Sequence, residues 1–268
     1  MAASRVGAAA AATATAARSG LLWSGDFSTR NLSQWHYVQA CRRSVRVVPS
    51  PLSAGTFAAR ITVGNGDTHD SCRKLQPGPS PSAFLISPPI FRAGNERYIS
   101  FSTLFPAGFP RITNWFQIAE LYGPPYGGSP PIGIYVSGRS LVLGRDVTHH
   151  YDTPWRSRIR QGSWEHLVLE VKFSADPRIG FVKLWLNGIP QTFAGGRRRL
   201  AMGTLIPGIN WTGRRGADSL DIGQYRAAQP ALGTVTVYEG QVRVGTSYAA
   251  VRRPTRRSFR PWSGRRTR

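Results

Sequence analysis

Arginine and tyrosine are the reactive side chains this sequence offers in number. Of 35 cationic residues only Lys74, Lys172 and Lys183 are lysines, and there are nine tyrosines. Carboxylates are few; the glutamates are Glu96, Glu120, Glu165, Glu170 and Glu239. A sandwich-type glycosidase needs paired carboxylates on one strand face, for example Glu-x-Asp-x-Glu, and no such spacing occurs, which disfavours retaining hydrolysis. No G-x-S-x-G elbow is present for a serine nucleophile. Asp67/His69/Asp70 and His149/His150/Asp152 are short polar clusters that read as turn chemistry rather than metal ligands. What the composition does suit is β-elimination on a uronic acid. That reaction neutralises the sugar carboxylate, removes the C5 proton and protonates the leaving oxygen. Arg, Gln or Asn serve the first task and His, Lys or Tyr the others.

The stretch "QIAELYGPPYGGSPP" (117–131) starts as a strand and ends in glycine and proline. It places Gln117, Glu120, Tyr122 and Tyr126 close together in sequence. Gln117, sharing a strand face with Trp115 and Ala119 by alternation, could line a groove. Trp155 and Trp211 read as loop residues beside arginines, suited to stacking on a sugar ring. Arg226 points away from Tyr225 by strand alternation and reads as a surface charge.

These residues need a scaffold, and period-2 patterning supplies one. "YISFSTLF" aligns Ile99, Phe101, Thr103 and Phe105, and "HLVLEVKF" aligns Leu167, Leu169, Val171 and Phe173 against His166, Glu170 and Lys172. "GFVKLWLNG" sets Val182, Leu184 and Leu186 on one side and ends in Asn187-Gly188, a strong hairpin signal. "GTVTVYEGQVRVG" reads as a second hairpin turning at Glu239-Gly240. Helical periodicity never lasts beyond about two turns. The pattern predicts an all-β fold, two antiparallel sheets packed face to face over residues 21–251. An Ala-rich leader or weak signal segment (1–20) precedes it, and an Arg-rich tail that reads as disordered (252–268) follows.

In that order and spacing, "GSWEHLVLEVKFSADPRIGFVKLWLNGIPQ" (162–191), "GNERYISFSTLFPAGFP" before it and "LDIGQYR…GTVTVYEGQVRVGTS" after it resemble the heparin-lyase-I-like polysaccharide lyases. So does the opening "SGDFSTRNLSQW". The resemblance covers about 220 residues, from Trp23 to Val251. It implies a concanavalin-like β-jelly roll with substrate in a groove across one sheet. It sets the family's final tyrosine, from a K-x-G-x-Y stretch, on Tyr225, with Asp221 replacing the lysine. Its base histidine falls on Tyr122 and its glutamine on Glu120. An R-x-E-L stretch falls on "CRKL", with Lys74 at the acidic position and Cys72 or Arg73 near the arginine. The implied roles are Tyr225 as general acid, Tyr122 as base, and Arg73 with Gln117 as binders of the sugar carboxylate or chain. Glu120, Lys74, Tyr126, Trp155 and Trp211 complete the expected substrate-binding set, with no cofactor or metal.

A formal charge of +22 points to an acidic polysaccharide as partner, although coding bias also produces arginine-rich chains. Eight arginines follow Val251, so nonspecific nucleic-acid binding through the tail is a further expectation. Cys41 and Cys72 could close a loop of about 30 residues by a disulfide in an exported protein. No run reaches the roughly 18 apolar residues of a membrane span. The expectation is a secreted, monomeric carbohydrate-active protein. A non-catalytic carbohydrate-binding sandwich and a basic nucleic-acid binder stand as alternatives.

Overall fold

The computed structural model describes residues 20–68, 71–72, 80–122, 130–147, 150–205 and 217–252. The leader up to residue 19, the tail from residue 253, and Arg73, Lys74, Tyr126 and Trp211 lie outside the described residues, as do the side chains of Cys72 and His150.

Strands are numbered in chain order. The larger antiparallel sheet runs β15 (Ile189–Pro190), β14 (Phe181–Leu186), β13 (Trp164–Lys172), β8 (Glu96–Leu104), β18 (Val235–Glu239), β4 (Phe57–Val63), β3 (Val45–Pro49). It also holds β1 (Leu21–Gly25), β16 (Leu200–Ala201) and β19 (Val242–Gly245). The smaller runs β12 (His150–Arg158), β11 (Ser140–Val147), β10 (Ile132–Ser137), β9 (Phe116–Tyr122), β17 (Ser219–Arg226), β7 (Ser82–Ile86), β2 (Tyr37–Ala40). A separate two-stranded ribbon joins β5 (Asp67–Thr68) to β6 (Ser71–Cys72). The fold is a jelly-roll β-sandwich.

The period-2 reading holds where it was strongest. Ile99, Phe101, Leu167, Leu169, Val182 and Leu184 from the larger sheet meet Ile118, Leu121, Ile134 and Leu143 from the smaller in one buried cluster. Each such side chain contributes about 1.5–3 kcal/mol on full burial. Asn187 and Gly188 both take positive φ, 54° and 83°, as a type I′ turn between β14 and β15 requires. On the other face of the larger sheet the short helix α1 (Tyr248–Val251) covers Val168, with Tyr98 and Trp185 packed alongside.

Three expectations are corrected. The segment at Glu239-Gly240 is no hairpin: β18 and β19 do not pair with each other but both run antiparallel to β8, as one strand broken at Gly240. Trp155 lies on β12, not in a loop. It is 4% exposed, and its indole N–H donates to Gln191 Oε1 at 3.2 Å, so it is core rather than a sugar platform. Arg226 does point away from Tyr225, but into the sandwich, where it is wholly buried.

Of the two polar clusters, the describable members are engaged locally. Asp67 accepts from Arg43 at 2.8 Å and from the Gly64 backbone N–H at 2.9 Å, and Asp152 is bidentate with Arg145. Cys41 is buried and disulfide-bonded, and Cys72 is the other cysteine of the sequence.

Glu239 makes the fold pH-sensitive. It is fully buried and accepts from Thr103 Oγ1 at 2.8 Å, and burial holds its pKa well above the ordinary 4.5. A carboxyl whose folded pKa is raised stabilises the fold fully below its unfolded pKa, and that contribution is lost as pH rises. Glu239→Gln is therefore expected to flatten the fall in melting temperature between pH about 5 and 8. Thermal melts across that range check this; an unchanged slope would show that Glu239 is not a protonated carboxyl in the fold.

Candidate active site

Strand β17 builds the site by strict alternation. Leu220 and Ile222 face the core, while Ser219, Asp221, Gly223 and Tyr225 face outward from the smaller sheet. The inward residues after Ile222 are polar and span the sandwich. Gln224 Nε2 donates to the backbone carbonyls of Ile61 (2.8 Å) and Val235 (3.1 Å) on the larger sheet. Arg226 donates to Val63 O, Gly233 O and Asn65 Oδ1. Gly223 has φ of 152°, and a Cβ there would lie 2.1 Å from Ala83 O, so only glycine lets β7 approach at this point.

Neighbouring β9 does not alternate regularly. Its register with β10 passes from Ile134↔Ala119 to Tyr135↔Gln117, leaving Ile118 as an extra residue. Its register with β17 shifts at the same place, from Ile222↔Ala119 to Tyr225↔Gln117. Ile118 and Ala119 are both core residues. This β-bulge turns Gln117 to the same outward face as Glu120 and Tyr122, whereas unbroken alternation put it with Ala119. Gln117 Nε2 donates to Glu120 Oε2 across the bulge.

The outward face therefore reads in cross-strand rows. One row is Tyr37, Ile86, Asp221, Glu120 and Gly133; the next carries Ser82, Tyr225, Gln117, Tyr135, Val142 and Arg156. Tyr122 lies opposite Ser219 beyond the carboxyl row. A Cβ on Gly133 would stand 2.3 Å from the Tyr135 ring and 2.7 Å from its hydroxyl. The Tyr135 phenol thus lies over Gly133, which is the cross-strand neighbour of Glu120. Tyr225 is 37% exposed and makes edge contacts with Trp115 (4.7 Å) and Phe84 (6.2 Å); Trp115 is 38% exposed.

Glu120 and Asp221 are direct cross-strand partners, and two carboxylates so placed repel each other. Burial, and secondarily the Asp221 charge, raise the Glu120 pKa to about 8 against the Gln117 hydrogen bond that lowers it. Burial raises Asp221 to about 7, with Ser219 Oγ donating to Asp221 Oδ1 at 2.7 Å. Asp218, just before Ser219 in the chain, is raised to about 7 by burial. The Tyr122 phenol is also pushed up, first by burial and then by Glu120, Asp221 and Tyr225. The site thus holds a proton-rich carboxyl pair, beside a phenol kept protonated.

Of the residues expected from sequence, Tyr122, Tyr225, Gln117 and Glu120 share this face, and Trp155 does not. Asp221, which sequence reading noted only as a replaced lysine, is the partner of Glu120. Tyr135 and Trp115 were missed as site residues. The Gly-x-Tyr pattern of β10 carried a signal for Tyr135; the Trp115 contact with Tyr225 depends on pairing across 110 residues and left none.

Residues 27–205 match the polysaccharide lyase family. No curated protein matches the chain by sequence. An endo-β-1,4-glucuronan lyase from Trichoderma reesei shares the fold at a TM-score of 0.67 with 17% identity, covering 86% of this chain and 98% of that one. A GH131 β-glucanase catalytic domain from Podospora anserina gives a TM-score of 0.57 with 18% identity, covering 86% and 99%. A substrate complex of the family 7 alginate lyase A1-II′ gives 0.51 with 9% identity, covering 77% and 83%. At these identities the likeness is one of fold.

The carboxyl pair has a direct check. Asp221→Asn removes the charge opposite Glu120 but not its burial. The Glu120 titration, followed by carboxyl carbon NMR, is expected to move down from about 8 while remaining above the ordinary glutamate range. A Glu120 midpoint indifferent to the substitution would mean that the pair is not coupled.

Proposed function

Because the chain belongs to the polysaccharide lyase family, we propose that it cleaves a uronate-containing polysaccharide by β-elimination on the outward face of the smaller sheet. The observation that carries this reading is the convergence of Tyr122, Tyr225, Gln117 and the Glu120–Asp221 pair on that one face. A protonated carboxyl donates a hydrogen bond to the sugar carboxylate where an ionised one would repel it. Glu120 and Asp221 in their protonated forms, with the Gln117 amide, hold that carboxylate and favour loss of the C5 proton. The base takes that proton, the C4=C5 double bond forms, the C4–O bond breaks, and an acid protonates the departing oxygen.

The direction of the Tyr122 shift reverses the role expected for it from the resemblance. A phenol held protonated, first of all by its burial, is suited to donate. We therefore assign Tyr122 as the acid and Tyr225, the exposed tyrosine of the pair, as the base. Trp115 beside Tyr225 offers a ring on which a sugar can stack. Arg73, Lys74, Tyr126 and Trp211 remain candidate contacts to the polymer by position in sequence. The disulfide at Cys41 favours an oxidising compartment, and hence export. The large positive charge suits a polyanionic substrate.

One feature favours a second reading. Carboxyls opposed across neighbouring strands can approach the roughly 5 Å separation used in retaining glycoside hydrolysis. No single-strand motif could show this pair, because its members sit on β9 and β17.

The products separate the two. Elimination leaves an ultraviolet-absorbing unsaturated uronyl end for each new reducing end, and hydrolysis leaves reducing ends alone. On a panel of glucuronate and mannuronate/guluronate polymers, Tyr225→Phe is expected to lower kcat by about 10²–10⁴-fold with KM little changed. The wild-type rate should fall as pH rises through about 7 to about 8, where the pair loses its protons. New reducing ends without the absorbance would sink elimination in favour of hydrolysis.

A further inference from the structure

A cationic feature lies at the edge of the smaller sheet. A cavity of about 270 Å³ is bounded by Arg145 and Asp152 on β11 and β12, and by Arg197, Arg199 and Ala201 from the segment that joins the larger sheet. The Arg145 guanidinium is held by Asp152 in a bidentate pair, Nε to Oδ1 at 2.7 Å and Nη2 to Oδ2 at 2.8 Å. Arg199 is fixed differently, its guanidinium 4.1 Å from the centre of the Phe181 ring. Arg197 and Arg199 are both exposed, and among the described residues neither has a carboxylate partner. One carboxylate thus faces three guanidinium-bearing residues around a cavity of sugar size.

The cavity lies at the edge of the sheet that carries the carboxyl pair. Strand β12 is the edge strand of the smaller sheet, three strands from β9, or about 14 Å at 4.7–4.9 Å per strand. Arg156, exposed on β12, lies in the same outward row as Tyr225, Gln117 and Tyr135. A polymer crossing the strands from Gln117 past Tyr135 and Val142 meets Arg156 on the edge strand, and the cavity lies beyond that edge, where Arg145 Nη1 donates to Ala201 O at 3.5 Å.

We propose that this cavity is an accessory subsite that binds a carboxylate of an anionic polysaccharide several sugars away from the reacting bond. The proposal rests on the uronate reading above for its ligand class, but its binding test does not depend on cleavage. Arginine suits the task because its planar guanidinium pairs with a carboxylate through two parallel hydrogen bonds, and because its charge persists at all working pH values. The subsite would make the protein a binder of long chains, since a short oligomer cannot reach from the carboxyl pair to the sheet edge.

The test uses the full chain carrying Tyr225→Phe, so that polymer is bound without being consumed. Arg197→Ala/Arg199→Ala is compared with the parent and with Arg197→Lys/Arg199→Lys by calorimetry, against long glucuronate oligomers, glucuronate dimers, neutral β-glucan oligomers and inorganic phosphate. Melting curves establish that each variant is folded. The double alanine variant is expected to weaken binding of the long oligomer by about 10-fold, equivalent to ~1.4 kcal/mol. Dimer binding should stay unchanged, and the lysine pair should recover part of the loss. Equal affinity of parent and alanine variant for the long oligomer would overturn the subsite. So would an equal loss toward neutral glucan, or inorganic phosphate binding as tightly as the oligomer. Should Tyr225→Phe prove to retain cleavage, the mechanism above fails while the binding comparison stands, read then on uncleaved dimer and phosphate and on initial heats of the oligomer.

Discussion

The site depends on how one strand is tied to the opposite sheet. Gln224 and Arg226 reach from β17 through the sandwich to backbone carbonyls at Ile61, Val235, Val63 and Gly233. A buried amide and a buried guanidinium are costly unless hydrogen-bonded, so these contacts admit one register of β17. The intervening residue, Tyr225, is thereby aimed outward, and Asp221 four residues earlier meets Glu120. A slip of one residue would send the phenol and the carboxylate into the core and the guanidinium to the surface. The larger sheet, which contributes nothing to the outward face, still fixes what that face presents.

On this face the protein sets a carboxyl pair, although the chain as a whole is strongly cationic. Under the proposed reading, the affinity of this site for an anion depends on its own protons. Burial raises both members of the pair, and each makes ionisation of the other harder. The guanidinium groups identified around the site stand apart from it, on β12 and at the edge cavity. In the proposed mechanism, attraction and proton transfer would thus fall to different parts of the molecule.

Much of the scaffold was legible in the sequence, because alternation of large apolar residues encodes a half-buried strand directly. The strands bearing Phe101, Leu169 and Leu184 and the turn at Asn187-Gly188 were visible on that basis. What was hidden lay where alternation is interrupted or polar. The bulge at Ile118 leaves no mark in composition, so Gln117 was grouped with the core residue Ala119. Arg226 was assigned to the surface because an arginine normally is; its burial follows from carbonyls contributed by distant strands. Glu239-Gly240 has the composition of a hairpin turn, yet β18 lies between β4 and β8 and β19 between β1 and β8, so the two flanking strands do not pair with each other. The Glu120–Asp221 pair spans a hundred residues of chain, and only the pairing of β9 with β17 brings it together.

The bulge at Ile118 has a consequence for how relatives of this chain can be compared. It offsets sequence position from spatial position by one residue within a single strand. Residues before Ile118 and after Ala119 that present side chains to the same face differ in parity. An alignment that matches β9 without a gap to a strand lacking the bulge would pair Gln117 or Glu120 with a core residue, not with its functional counterpart. Correspondence in this region is therefore a matter of which face a residue occupies, and one inserted or deleted residue there would redistribute the chemistry of the strand without altering its length noticeably.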